Sequence, residues 1–156
     1  MSGPVLHVAL LHPEIPGNTG NIGRLCLGLG ARLHLVHPLG FDTGDKAARR
    51  AGLDHWTHVD RQEHADAEAF WAWASGRSVH LFSAGGGHAH TRVPWQWGDV
   101  ALFGPESVGL PQGLVAERGA WRIPTPGPVR SLNLSNAVAV VAYGALAALE
   151  PHLFGS

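Results

Sequence analysis

Residues 5–30 read VLHVALLHPEIPGNTGNIGRLCLGLG, and their order decides the fold. Val5–Leu11 is a nearly unbroken apolar run, the pattern of a strand buried on both faces. Pro13, Pro16 and Gly17 stop it. Asn18 is suited to cap a helix, because its side-chain oxygen can accept from the free amides of the first turn. Ile22, Leu25, Cys26 and Leu29 then recur at helical spacing until Gly30 ends the helix.

The alternation continues outward from there. Leu33–Val36 is expected to be the next strand, closed by Pro38 and Gly40. A short basic helix is expected around Asp45–Ala51, a strand at His55–Val59, and a helix at Glu63–Trp73 carrying Phe70 and two tryptophans. Ser78–Ser83 and Val100–Phe103 are further strands, parted by Gly85-Gly86-Gly87. Trp121–Ile123 is a short strand, and Asn133–Leu149 is the longest helical pattern. Strands alternating with helices predict an α/β fold, a parallel sheet with helices on both faces. Such sheets bind ligands beyond the carboxyl ends of their strands. That rule selects four loops: Pro13–Asn18, Ser83–Gly87, Gly104–Pro111 and Pro124–Leu132.

Composition bounds the rest. A chain of 156 residues with 45% hydrophobic content is expected to be one domain, residues 1–156, with a core of its own. The single cysteine, Cys26, excludes a disulfide scaffold. Lys+Arg 11 against Asp+Glu 12 gives a net charge of −1, which argues against a generic polyanion coat but leaves room for a local basic site. No apolar run approaches the roughly 18–20 residues needed to cross a bilayer. Val5–Leu11 has neither the basic flank nor the cleavage-like flank of a signal peptide, so a cytoplasmic location is expected.

Three segments stand out as carriers of chemistry. In the first, Pro13 to Ile22, two prolines rigidify the strand exit and Arg24 follows within the helix. Read alone, it is a capped turn with a solvated arginine before it is an anion site at a helix start. The second, Phe103-Gly104-Pro105-Glu106-Ser107-Val108-Gly109-Leu110-Pro111, has glycines where a ligand can press on backbone. It lacks the Gly-Lys-Ser/Thr ending of a phosphate loop, and Pro105 stands where a nucleophile elbow needs Gly. Glu106 could bond loop amides or hold a ligand. The third, Arg130 to Val140, places Ser131, Asn133, Ser135 and Asn136 at the start of an apolar helix, more polar groups than one cap requires. Further on, Ala139, Ala142, Gly144, Ala145 and Ala148 permit close contact with the sheet or with a second chain.

Other candidates read as packing. Cys26 falls on the apolar helix face. The eleven histidines show no zinc-site spacing with cysteine or carboxylate, so no metal is expected. Trp95 and Trp97 are core or surface aromatics that could also stack on a base.

Taken in order, the segments resemble the three signature motifs of the SPOUT superfamily of RNA methyltransferases, and most of all its small bacterial tRNA wobble-nucleotide 2′-O-methyltransferases. The matching residues are Pro13-Glu14-Ile15-Pro16 with Asn18 to Ile22 and Arg24-Leu25-Cys26, then Phe103-Gly104-Pro105-Glu106 with Gly109-Leu110-Pro111. Ile123-Pro124, Arg130 to Val138 and Tyr143 complete them, and Lys46 with Arg49 to Asp54 also matches. The resemblance spans nearly the whole chain. It implies S-adenosylmethionine as methyl donor, the ribose 2′-hydroxyl of the wobble nucleotide of the tRNA anticodon loop as acceptor, a C-terminal trefoil knot and a homodimer. By position it puts donor contacts on Ser83, Ala84, Gly104, Glu106, Gly109, Leu110, Ile123, Ser131 and Leu132. It makes Arg24 the residue acting on the hydroxyl, with Asn18, Ser131 and Asn133 orienting the ribose, and Arg24, Lys46, Arg49 and Arg50 the RNA contacts. A guanidinium stays protonated, so Arg24 is expected to clamp a phosphate rather than act as a base. Three features depart from the family pattern: Gly144 where relatives usually carry Glu, Gly17 for a common proline, and three glycines at 85–87 near a usual basic residue. Another tRNA site or ribosomal RNA as target, and a donor-dependent RNA-binding module without turnover, are the competing readings.

Overall fold

The computed structural model describes residues 2–44, 46 and 55–155. Among them, seven strands form one sheet in the order β3-β2-β1-β6-β4-β7-β5, and every pairing is parallel. The strands are β1 (His7–Leu11), β2 (Arg32–Val36), β3 (Arg61–His64), β4 (Val79–Phe82), β5 (His88–Ala89), β6 (Val100–Phe103) and β7 (Trp121–Arg122). The helices that fall wholly within the described residues are α1 (Pro16–Leu29), α2 (Ala67–Ala74), α3 (Gln112–Arg118) and α4 (Leu134–Leu149). The central strands β1 and β6 are buried along their whole length, as their apolar runs require.

Side-chain alternation along the strands builds two cores. Val8 and Leu10 of β1 and Ala101 and Phe103 of β6 join Ile22 and Cys26 of α1 and Val138, Val141 and Ala145 of α4 on one face. Ala9 and Leu11, with Val100 and Leu102, meet Phe70 and Ala74 of α2 on the other. Helices therefore cover both faces.

Three expectations need correction, and a fourth is not tested. Helix α1 starts at Pro16 with Ile15 in the capping position, and Asn18 lies inside its first turn and makes no cap bond. Proline at the first helical position already has no amide to satisfy, so the start shifts toward it. Residues 55–59 do not form a strand; Trp56–His58 is a 3-10 turn that buries Trp56. The strand is β3, whose sequence Arg-Gln-Glu-His carries no apolar residue because it lies at the sheet edge. Glu63 consequently belongs to β3, and α2 begins only at Ala67, where the Asp66 carboxylate accepts from the Ala69 amide at 2.8 Å. The basic helix expected near Asp45–Ala51 lies outside the described residues except for Lys46, which is exposed.

Strand β7 sits between β4 and β5. Phe82 and His88 both register with Trp121, so residues 83–87 must cross β7 to pair again on its far side. The crossing is tight: a Cβ on Gly86 would lie 2.5 Å from the Trp121 carbonyl carbon.

Candidate active site

Because β1, β6, β4 and β7 are sheet neighbours and run parallel, their carboxyl-terminal loops emerge side by side. These are the four loops selected from the sequence. They enclose a cleft of about 820 Å³.

Its walls are mainly backbone and apolar side chains. Ser83, Ala84 and Gly85 come from the loop after β4, and the Ser83 amide donates to the Trp121 carbonyl at 2.9 Å. Gly104 to Leu110 form the wall after β6. That turn closes on itself, with the Gly109 amide donating to the Pro105 carbonyl at 2.8 Å and Gly109 at φ 69°. Gly104 touches it so closely that a Cβ there would sit 2.3 Å from the Gly109 carbonyl carbon. Ile123, Ser131, Leu132 and Asn133 supply the remaining wall. All nine residues assigned by resemblance to the donor line this one cleft.

The polar groups at its mouth form a directed network. Glu106 accepts from the Glu14 amide at 2.8 Å, the Ile15 amide at 2.9 Å and Asn18 Nδ2 at 3.3 Å. Its position at the start of α1 also suits a negative charge there. Asn18, only 7% exposed, accepts through Oδ1 from Asn133 Nδ2 at 3.1 Å. Asn133 caps α4, its Oδ1 accepting from the Ser135 amide at 2.9 Å. Three of the four residues expected to handle the acceptor (Asn18, Ser131 and Asn133) thus line the cleft. Arg24 does not. It is exposed on α1, six residues past Asn18, or about 9 Å along the helix axis at 1.5 Å per residue. Arg49 and Arg50 lie outside the described residues.

Several lining residues were not singled out in the sequence. Gln112, Val115 and Ala116 come from α3, a helix the sequence announces only through Pro111 before it and Gly119 after it. Thr125 and Arg130 also line the cleft. Glu14 lies outside the lining but grips it, accepting from the Ser107 amide at 2.8 Å and the Ser107 hydroxyl at 3.0 Å. Those two bonds, the amide first, hold its carboxyl below the usual carboxylate range. Cys26 is fully buried and its thiol is pushed up to about 12 by burial, so it packs and does not react. Trp95 stacks on Phe82 at 6.0 Å and Trp97 bonds the Ser2 carbonyl; neither lines the cleft.

The model of the SpoU rRNA methylase family matches residues 5–143. The chain belongs to that family. A relative from Methylovorus glucosotrophus, named tRNA (cytidine(34)-2′-O)-methyltransferase, is 45% identical over 141 residues, 88% of this chain and 92% of its own. A solved structure described as structural insights into the 2-OH methylation of C/U34 on tRNA is 46% identical with TM-score 0.86, covering 92% of this chain and 95% of that one. The S-adenosylmethionine-bound rRNA methyltransferase from Sinorhizobium meliloti is 28% identical with TM-score 0.82, covering 99% of this chain and 59% of that one. Membership of the SpoU family bears out the resemblance drawn from the three motifs. Among the described residues no helix is long and apolar enough to cross a membrane.

Proposed function

We propose that this SpoU family enzyme methylates the ribose 2′-hydroxyl of the wobble nucleotide, cytidine or uridine 34, in the tRNA anticodon loop, with S-adenosylmethionine as donor. The observation that carries the reading is the meeting of four loops on one cleft, with the Asn18–Asn133 pair at its polar side. The names of the relatives at 45–46% identity support the acceptor.

The cleft suits the donor by its chemistry. It has the size of a small-molecule site, and backbone and apolar groups dominate it, as a ligand without phosphates needs. The donor supplies an electrophilic methyl group on a sulfonium sulfur. Ser83, Ala84, Gly104, Gly109, Leu110, Ile123, Ser131 and Leu132 would hold it. Glu106 contributes shape more than contact, since both its oxygens already accept from the first loop.

The chain's own work is positioning, which can supply most of the rate for an in-line displacement. Asn18, Ser131 and Asn133 orient the ribose. Arg24, outside the donor cleft, takes a phosphate of the RNA and polarises the hydroxyl; Lys46, Arg49 and Arg50 extend that contact. The crossing of β7 by residues 83–87 supports a C-terminal trefoil knot, and the exposed face of α4 supports a homodimer.

Mass-spectrometric mapping of methylated nucleosides, in tRNA and ribosomal RNA from cells with and without the protein, tests the reading. Loss of 2′-O-methylation at position 34 alone is expected. Loss at another tRNA position or in ribosomal RNA would move the target, and no loss anywhere would leave a binding module.

A further inference from the structure

Two carboxylates meet at the seam between the loop after β1 and the loop after β6, and they exchange partners. Glu106 accepts from the backbone of Glu14, while Glu14 accepts from the backbone and hydroxyl of Ser107, the residue next to Glu106. The two loops lie more than 90 residues apart in the chain, so this exchange fixes tertiary geometry and not a local turn. Glu14 is exposed and caps no helix, and both hydrogen bonds of its carboxylate go to Ser107 across the seam.

The consequence reaches Asn18. A carboxylate only accepts, so Glu106 forces Asn18 to present Nδ2 toward it. Asn18 Oδ1 must then face Asn133, which presents its own Nδ2 and leaves Oδ1 for the amide and hydroxyl of Ser135. The Asn133 amide is already turned by its cap on α4, so it is the direction and place of the Asn18 amide that depend on where Glu106 stands. We infer that Glu14 is a positioning residue for methyl transfer: by holding Ser107 it keeps Glu106 in register, and so fixes how Asn18 stands against Asn133 and the acceptor. The inference rests on the methyltransferase reading above.

Loss of Glu14 should spare the donor. The turn after β6 closes through its own Gly109–Pro105 bond and the packing of Gly104 on Gly109, neither of which involves Glu14. What changes is how that turn sits against the start of α1. The signature is therefore a fall in turnover with donor affinity kept.

The test uses the full chain as wild type, Glu14→Ala and Glu14→Gln. S-adenosylmethionine binding is read by calorimetry, methyl transfer to tRNA under saturating donor, and the side-chain amide signals of Asn18 and Asn133 by NMR. Glu14→Ala is expected to cut kcat at least about tenfold while donor Kd stays within about threefold, because small misplacements at a reacting centre carry large rate penalties. Glu14→Gln still accepts the Ser107 amide and can donate to the Ser107 hydroxyl, so it should recover kcat to within about threefold of wild type. Adding Ser107→Ala to Glu14→Ala should slow the enzyme by no more than about threefold further, as for two residues acting through one contact.

Wild-type kcat in Glu14→Ala overturns the inference, as does a parallel loss of donor affinity or a Glu14→Gln variant as slow as Glu14→Ala. A wild-type protein that binds donor but methylates no tRNA defeats the function reading instead. The seam is then judged by the amide signals: unmoved Asn18 and Asn133 signals in Glu14→Ala overturn it.

Discussion

At Gly104 the wall of the cleft proposed for the donor has no space for a side chain, because the atoms a methyl group would strike belong to the Gly109 and Leu110 backbone. Backbone in a closed turn cannot swing aside as a long side chain can. Gly104→Ala is therefore expected to push the turn after β6 out of place, at a cost of about 1–3 kcal/mol for overpacking. Donor affinity in calorimetry should fall at least about tenfold (1.4 kcal/mol) while the chain stays folded. Unchanged affinity would mean the turn is not part of the donor site. Arg24 makes a contrasting prediction from its place on the outer side of α1. It is absent from the donor wall, so Arg24→Lys should leave donor binding intact. Lysine keeps the charge but loses the planar fork that holds a phosphate and a hydroxyl together, so turnover should fall at least about tenfold, within the range that misplacement commands. Wild-type turnover in that variant removes Arg24 from the mechanism.

Three strands carry a feature that the donor site does not explain. His7 of β1, His34 of β2 and His64 of β3 form a hydrogen-bonded row, with His7 Nδ1 2.8 Å from His34 Nε2 and His34 Nδ1 2.9 Å from His64 Nε2. All three are buried, beneath Trp73 and Phe70 of α2. Burial pulls the His7 imidazole down to about 4, helped by Arg77 and Arg32 and opposed by Asp60, and it pulls His34 and His64 down as well. The native row thus stays neutral at pH values where the unfolded chain already binds protons. Stability is then level above about pH 7 and declines as pH falls from about 6.5 toward 4, since the unfolded state gains the protons. Scanning calorimetry should show Tm falling between pH 6.5 and 5, before ordinary carboxylates titrate, and NMR should show the His7 and His34 imidazoles not titrating there and His64 titrating below the usual histidine range. A level Tm with all eleven histidines titrating would refute the neutral row. The row also shows what sequence reading reaches. Buried strands β1, β2 and β6 were legible because continuous apolar runs mark them. Edge strand β3 was not, since an edge with one wet side needs no apolar pattern. That the nine residues given by resemblance line one cleft was legible because the motifs carrying the resemblance are local in the chain. The Glu14–Ser107 and Asn18–Asn133 bonds were not, because only the sheet order brings those loops together.

For the molecule as a whole, α4 poses the question of what covers it. Its sixteen residues contain no charged side chain. Val138, Val141, Ala142, Ala145 and Leu146 face the core, but Val140, Tyr143, Gly144 and Ala148 lie on an exposed stripe with helical spacing. A helix that is apolar all round belongs in an interior. The small residues Gly144 and Ala148 let another backbone approach closely, and exposed Leu27 of the packed helix α1 adds to the apolar surface. The homodimer proposed above would cover that stripe without any charge to neutralise. It would also double the cationic groups a −1 chain can offer to tRNA, where affinity follows the number of phosphates neutralised. In sedimentation at micromolar concentration the protein is therefore expected to run at twice 16.5 kDa. Val140→Glu would place a carboxylate in the middle of the joint, where an unpaired buried charge is costly. It should yield a monomer that still binds S-adenosylmethionine, with tRNA affinity reduced at least about tenfold and a shallower dependence on salt. A wild type that sediments at 16.5 kDa, or a dimeric Val140→Glu with full tRNA affinity, would place the partner surface elsewhere.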